Sequence, residues 1–201
     1  MTRACLFPLA LLLALTSSAR AQDDADPERI ARVKAAYVLN FIRFTEWPSH
    51  AFVSGNSSVV VGFLGEGDVD DIFEQAVGDR LLNGRSVVVR RINAPPPTGQ
   101  GGLEADERHA LESQLEGLHL LYLDASARRI MEPVLEMMGG RDTLTVSDAS
   151  GFATAGGMLE LVLHRSRIVF NANLGEIRET EIKVSSQVLR LARIVQGNVG
   201  E

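Results

Sequence analysis

Four short apolar runs separated by amphipathic stretches constrain this chain more than any other feature of its sequence. Residues 58–64 read SVVVGFL, 85–92 read RSVVVRRI, 118–123 read LHLLYL and 143–147 read TLTVS. Continuous apolar runs rich in β-branched side chains are the mark of strands buried on both faces. Residues 69–77, 104–115 and 126–138 lie between them and carry helical spacing, with Pro133 expected to kink or split the last. Parallel strands need a crossover connection and antiparallel ones do not. The alternation therefore predicts an α/β fold, a largely parallel sheet with helices on its faces.

The ends of the chain depart from this rhythm. Asp26 and Pro27 form a helix start, and Ile30, Val33, Tyr37, Phe41 and Phe44 then recur at three- and four-residue spacing. Trp47 extends that stripe and Pro48 stops it, so Tyr37, Phe41, Phe44 and Trp47 are expected to be buried structural anchors. Further on, residues 158–164 and 167–173 read as an antiparallel hairpin. Its turn, Arg165-Ser166, lacks the usual Gly or Asn. Val184, Val188, Leu191 and Val195 predict a terminal helix, and residues 93–102 (NAPPPTGQGG) a mobile loop. There is no internal repeat and no linker long enough to divide the chain.

Residues 1–21 have the pattern of an export signal: Arg3, a 12-residue apolar run over 4–15, and Ala19-Arg20-Ala21 as a cleavage site. The run is too short to span a bilayer, which needs about 20 apolar residues. The mature chain is expected to be exported and to begin at Gln22 as a single domain over 22–201. Of 201 residues, 20 are basic and 26 acidic, a net charge of −6. Loss of Arg3 and Arg20 leaves 18 basic residues and a net −8. That balance argues against a nucleic-acid footprint. Cys5, the sole cysteine, leaves with the signal, so no disulfide or thiol nucleophile is expected afterwards.

Chemistry-bearing motifs are incomplete. Gly65 and Gly67 open a strand-to-helix turn as a dinucleotide loop does, but the third glycine position is Asp70. Asp68, Asp70 and Asp71 lack the alternation and glycine of a calcium loop, and fit a helix N-terminus better. His50, His109, His119 and His164 show no metal-binding spacing, and no serine sits in a nucleophile elbow. The expectation is a protein with no cofactor, no metal and no catalytic set. Gly151, Gly156 and Gly157 mark a loop with unusual backbone angles, either a tight connection or a binding loop.

Two dense regions carry a family resemblance. The first holds Lys34-Ala35-Ala36-Tyr37, Asn40-Phe41, Phe44 and Glu46-Trp47-Pro48. The second holds Leu144-Thr145-Val146-Ser147-Asp148, Gly151-Phe152-Ala153 and Gly156-Gly157-Met158. It continues through Arg167, Phe170, Asn173-Leu174, Ser185-Ser186, Leu189 and Leu191-Ala192. In this order they resemble the YfiR family of small periplasmic proteins, to which HmsC belongs. The resemblance implies a non-enzymatic, commonly dimeric α/β protein that represses an inner-membrane diguanylate cyclase by binding its periplasmic sensor region. It departs from the family pattern in lacking mature cysteines and a Gly around Thr180-Glu181-Ile182. The surface expected to meet the cyclase is the 158–173 hairpin with the adjacent loop: Gly151, Phe152, Glu160, His164 and Arg167. Glu160 and His164 share a strand face with Met158 and Val162. Leu159, Leu161 and Leu163 occupy the other, expected to be core. The competing expectation is a small-molecule-binding module with Trp47 and Phe152 lining a crevice at the strand ends. A secreted hydrolase stands third.

Overall fold

A computed structural model describes residues 26–93 and 102–197. The cleavage signal and most of the 93–102 loop therefore lie outside the described residues. Helix α1 (Pro27–Arg43) leads into a two-residue strand β1 (Thr45–Glu46). Three βα units follow: β2 (Val59–Leu64) with α2 (Val69–Val77), β3 (Val87–Ile92) with α3 (Ala105–Leu115), and β4 (Leu120–Leu123) with α4 (Met131–Met138). Then come β5 (Leu144–Ser147), β6 (Leu159–His164), β7 (Arg167–Asn173), α5 (Leu174–Arg178), β8 (Lys183–Val184), α6 (Ser186–Leu189) and β9 (Arg193–Val195).

Seven strands form one sheet in the order β3-β2-β4-β5-β6-β7-β9, and β1 pairs with β8 apart from it. Every pairing in the large sheet is parallel except β6 with β7. The mixed α/β architecture read from the alternating runs is the one observed.

Helices cover the two faces unequally. On one, α1 and α2 pack against Val59, Val61, Phe63, Leu120, Tyr122, Leu144, Val146, Leu159, Leu161, Phe170 and Ala172. On the other, α3 and α4 pack against Leu64, Ile92, Leu121 and Leu123, joined by Phe152. No side chain of β6 or β7 belongs to this second core, so the hairpin has a helical layer on one face only. Burial alternates accordingly along β7, where Ile168, Phe170 and Ala172 are buried.

Two local expectations, the buried face of α1 and the terminal helix, need correction. The buried face of α1 is Ala31, Ala35, Val38, Phe41 and Ile42, whereas Val33 is 37% and Phe44 38% exposed. At about 100° per residue the chosen stripe lay on one shoulder of that face. Small alanines let the helix backbone approach its neighbours, while Ile30 and Tyr37 reach in from the flank. Phe44 is therefore not a buried anchor, and Trp47 and Tyr37 are half-buried.

The segment with Pro133 does split, into a 3-10 helix (Ala125–Ile130) and α4. The break falls ahead of the proline, which sits in the first turn of α4, where a missing N–H costs nothing. The terminal helix is one turn, α6, followed by the strand β9. Val184, Val188 and Val195 mimic a helical stripe but belong to β8, α6 and β9 in turn.

Candidate functional site

The loop between β5 and β6 is held by buried polar groups from the strands around it. Glu160, only 5% exposed, accepts hydrogen bonds from the Gly151 N–H at Oε1 and the Ala153 N–H at Oε2, both 3.1 Å. Asn173 donates from Nδ2 to the Ala153 carbonyl at 2.8 Å, and its Oδ1 caps α5 through the Gly175 N–H. Thr145 Oγ1 accepts from the Met158 N–H at 3.0 Å. Gly151 and Gly156 have φ of 85° and 109°, the left-handed range that other residues rarely adopt. At Gly157 a Cβ would lie 2.1 Å from the Phe152 ring, so only glycine lets that ring enter the second core.

This overturns two expectations. Glu160 is not a partly exposed docking residue but an internal acceptor that replaces lost backbone partners for the loop. Phe152 is core. The burial pattern on β6 is Leu159, Glu160 and Leu161 inside, with Leu163 emerging at 52% exposure. Of the residues proposed for docking, His164 and Arg167 are exposed and form a cross-strand pair at the hairpin end. Gly151 is half-buried.

The turn itself is unusual. Arg165 and Ser166 both have positive φ, 47° and 61°. A two-residue hairpin whose twist matches its strands demands this at both positions, which is why Asn-Gly normally fills them. Here the hairpin forms without those residues and places an arginine at its tip.

A second set of contacts ties α1 and the segment after it to the sheet. Lys34 pairs with Asp148, whose other oxygen accepts the Ala125 N–H at 2.7 Å. Tyr37 donates its hydroxyl to the Ile168 carbonyl at 2.9 Å and rests edge-on against Phe170. Trp47 Nε1 donates to the His119 carbonyl at 2.9 Å. His119 is buried, accepts the Val60 N–H at Nδ1 and stacks on Phe52, with Arg85 over that ring's other side. Burial holds the His119 pKa below the ordinary 6.5. Burial likewise pushes the Tyr122 hydroxyl far above its usual range, with Asp148 and Asp124 adding to the effect.

The crevice expected at the strand ends is filled. Between the β2 and β4 ends, the space lined by Gly65, Gly67, Tyr122 and Asp124 holds about 10 Å³, room for little more than one water. Trp47 and Phe152 belong to different cores. Asp70, Asp71 and Glu74 gather around the Arg91 guanidinium, and Asp68 makes no capping bond. Ser147 Oγ donates to the Leu123 carbonyl and accepts the Ala149 N–H. Among the described residues there is no group of three metal-ligating side chains. No helix there is long and apolar enough to cross a membrane.

Most of the residues that make the two dense regions distinctive thus stitch the loop, the helix and the sheet together. The family match follows the same stretch. The YfiR/HmsC-like family matches residues 31–193, and the chain belongs to that family. Its members are non-catalytic periplasmic regulators in diguanylate cyclase signalling. No curated protein matches the chain in sequence. Among solved structures, a similar one is described as the ABC domain in complex with L-Trp from Streptococcus pneumonia. It is 12% identical, with a TM-score of 0.48, over 78% of this chain and 60% of that one.

Proposed function

We propose that this protein is a periplasmic repressor. It would bind the periplasmic sensor region of an inner-membrane diguanylate cyclase, lower cyclic di-GMP output and so restrain biofilm and exopolysaccharide formation. It would act after export and removal of residues 1–21, as a homodimer. The observation that carries this reading is the family match over residues 31–193. Support comes from the β6–β7 hairpin, which ends in the exposed side chains Leu163, His164, Arg165 and Arg167. With Glu160 and Phe152 assigned to the interior, Gly151, His164 and Arg167 are the candidate docking residues that remain.

Repression by binding requires differential affinity: the inactive sensor conformation must be held more tightly than the active one. A preference of about a hundredfold lies within ordinary allosteric coupling. The test is deletion of the gene with cyclic di-GMP measured in the cell. A rise that returns to normal on complementation is expected, and unchanged cyclic di-GMP under every growth condition tried defeats the proposal. Edman sequencing of the periplasmic protein should begin at Gln22.

A further inference from the structure

We infer that the groove between the start of α1 and the tip of the β6–β7 hairpin is the seat of the partner, and that it accepts an acidic, aliphatic segment of the cyclase's periplasmic region. This rests on the repressor reading above and names where and how the contact is made.

The groove encloses about 290 Å³ between Arg29, Ile30 and Val33 of α1 and Leu163, Ser166, Arg167 and Ile168 of the hairpin. Its floor is aliphatic. Val33 and Leu163, which a monomer would gain by burying, are 37% and 52% exposed. They face each other across a cleft that no other element of the described chain covers. Tyr37 on α1 donates to the Ile168 carbonyl and so ties the helix to β7 beside the groove.

The rim carries a single sign. Arg29 and Arg167 line it, Arg165 stands at the hairpin tip beside it, and no acidic side chain is among the lining residues. Among the described residues these three arginines enter no ion pair, although acidic side chains outnumber basic ones in the chain. An apolar floor with an unneutralised cationic rim is complementary to an aliphatic segment flanked by Asp or Glu.

The experiment uses the purified mature protein and the purified periplasmic region of the diguanylate cyclase from the same organism. Binding is measured by titration calorimetry and self-association by analytical ultracentrifugation. Leu163→Asp and Arg167→Glu are compared with wild type and with Arg129→Glu, a charge reversal at an exposed site in the 125–130 segment. The expected result is a loss of at least about tenfold in affinity for each groove variant, with none for Arg129→Glu and unaltered melting curves, since all three positions are exposed. Wild-type binding should weaken as salt rises. If wild type binds and the groove variants bind equally well, the groove assignment is overturned and the repressor reading stands. If the variants dissociate a dimer but still bind the cyclase region, the groove is a self-association surface and the inference fails. If wild type does not bind the cyclase region at all, both fail together.

Discussion

Glu160 illustrates how a charged side chain on a strand can belong to the interior. The β5–β6 connection has no helix, so the N–H groups of Gly151 and Ala153 need an acceptor, and the Glu160 carboxylate reaches back to provide one. Replacing it by alanine leaves two donors unsatisfied in a buried loop. Glu160→Ala is expected to lose about 3 kcal/mol, as bonds to charged groups do. A denaturant melt in which the variant matches wild type would show that the loop holds itself. His119 gives a pH dependence. Its folded pKa lies below the unfolded 6.5 because burial and the Arg85 charge disfavour the imidazolium. The unfolded chain therefore takes up a proton first. Stability is full above about pH 6.5 and declines as pH falls from there toward the lower folded value. Phe52 and Trp47 pack on the same ring and do not titrate in this window. Melting temperatures between neutral and mildly acidic pH should fall less steeply in His119→Gln than in wild type. Equal slopes would remove His119 as the cause.

At the scale of elements, the β6–β7 turn offers the cleanest test of strain. Left-handed angles cost non-glycine residues about 1–2 kcal/mol each. Changing Arg165-Ser166 to Asn-Gly is expected to stabilise the fold by about 1–2 kcal/mol, read from the denaturation midpoint. A destabilised double variant would mean that the two side chains make compensating contacts. That turn was legible as a turn, and its backbone type was not, because neither residue advertises positive φ. The same division runs through the other elements. Strands β2 and β4 announced themselves because burial on both faces leaves nearly continuous apolar runs. The edge strand β3 is only partly buried and showed itself through Val87-Val88-Val89, and β5 alternates Leu144 and Val146 with buried Thr145 and Ser147. The phase of α1 did not, since its buried face is made of alanines that carry little hydrophobic signal beside Phe44. The last segment failed for a related reason. Val184, Val188 and Val195 occur at helical spacing although α6 stops at Leu189 and β9 begins at Arg193. The exposed hairpin end with His164 and Arg167 was readable, whereas the approach of Arg29 and Val33 to it was not. They meet the hairpin only through the tertiary packing of α1 on β7, which no local pattern encodes.

Across the whole molecule, Lys34 and Asp148 join three elements distant in sequence. Lys34 comes from α1, Asp148 follows β5, and Asp148 also receives the N–H of Ala125 after β4. Both side chains are largely buried, at 19% and 8% exposure. Removing one partner of such a pair leaves the other charged and desolvated, at a cost of about 3–5 kcal/mol. Asp148→Ala should therefore lower stability by roughly 3 kcal/mol. Lys34→Met with Asp148→Leu, which removes both charges, should recover much of that loss. Failure of the double variant to recover would locate the effect in the Ala125 bond instead.

The open sheet, finally, has two ends, β3 and β9, and its behaviour in a crowded compartment depends on them. An exposed strand edge is a template on which another chain can extend the ladder. Here β3 carries adjacent arginines. Arg91 is held by three carboxylates of α2, and Arg90 donates to the Gln114 and Glu116 carbonyls at the end of α3. A newcomer at that edge would have to displace bulky, bound, charged side chains. At the opposite end β9 is three residues long and begins with Arg193, leaving few rungs to add to. Among the described residues, neither margin of the sheet thus offers a long, uncharged ladder on which another chain could extend.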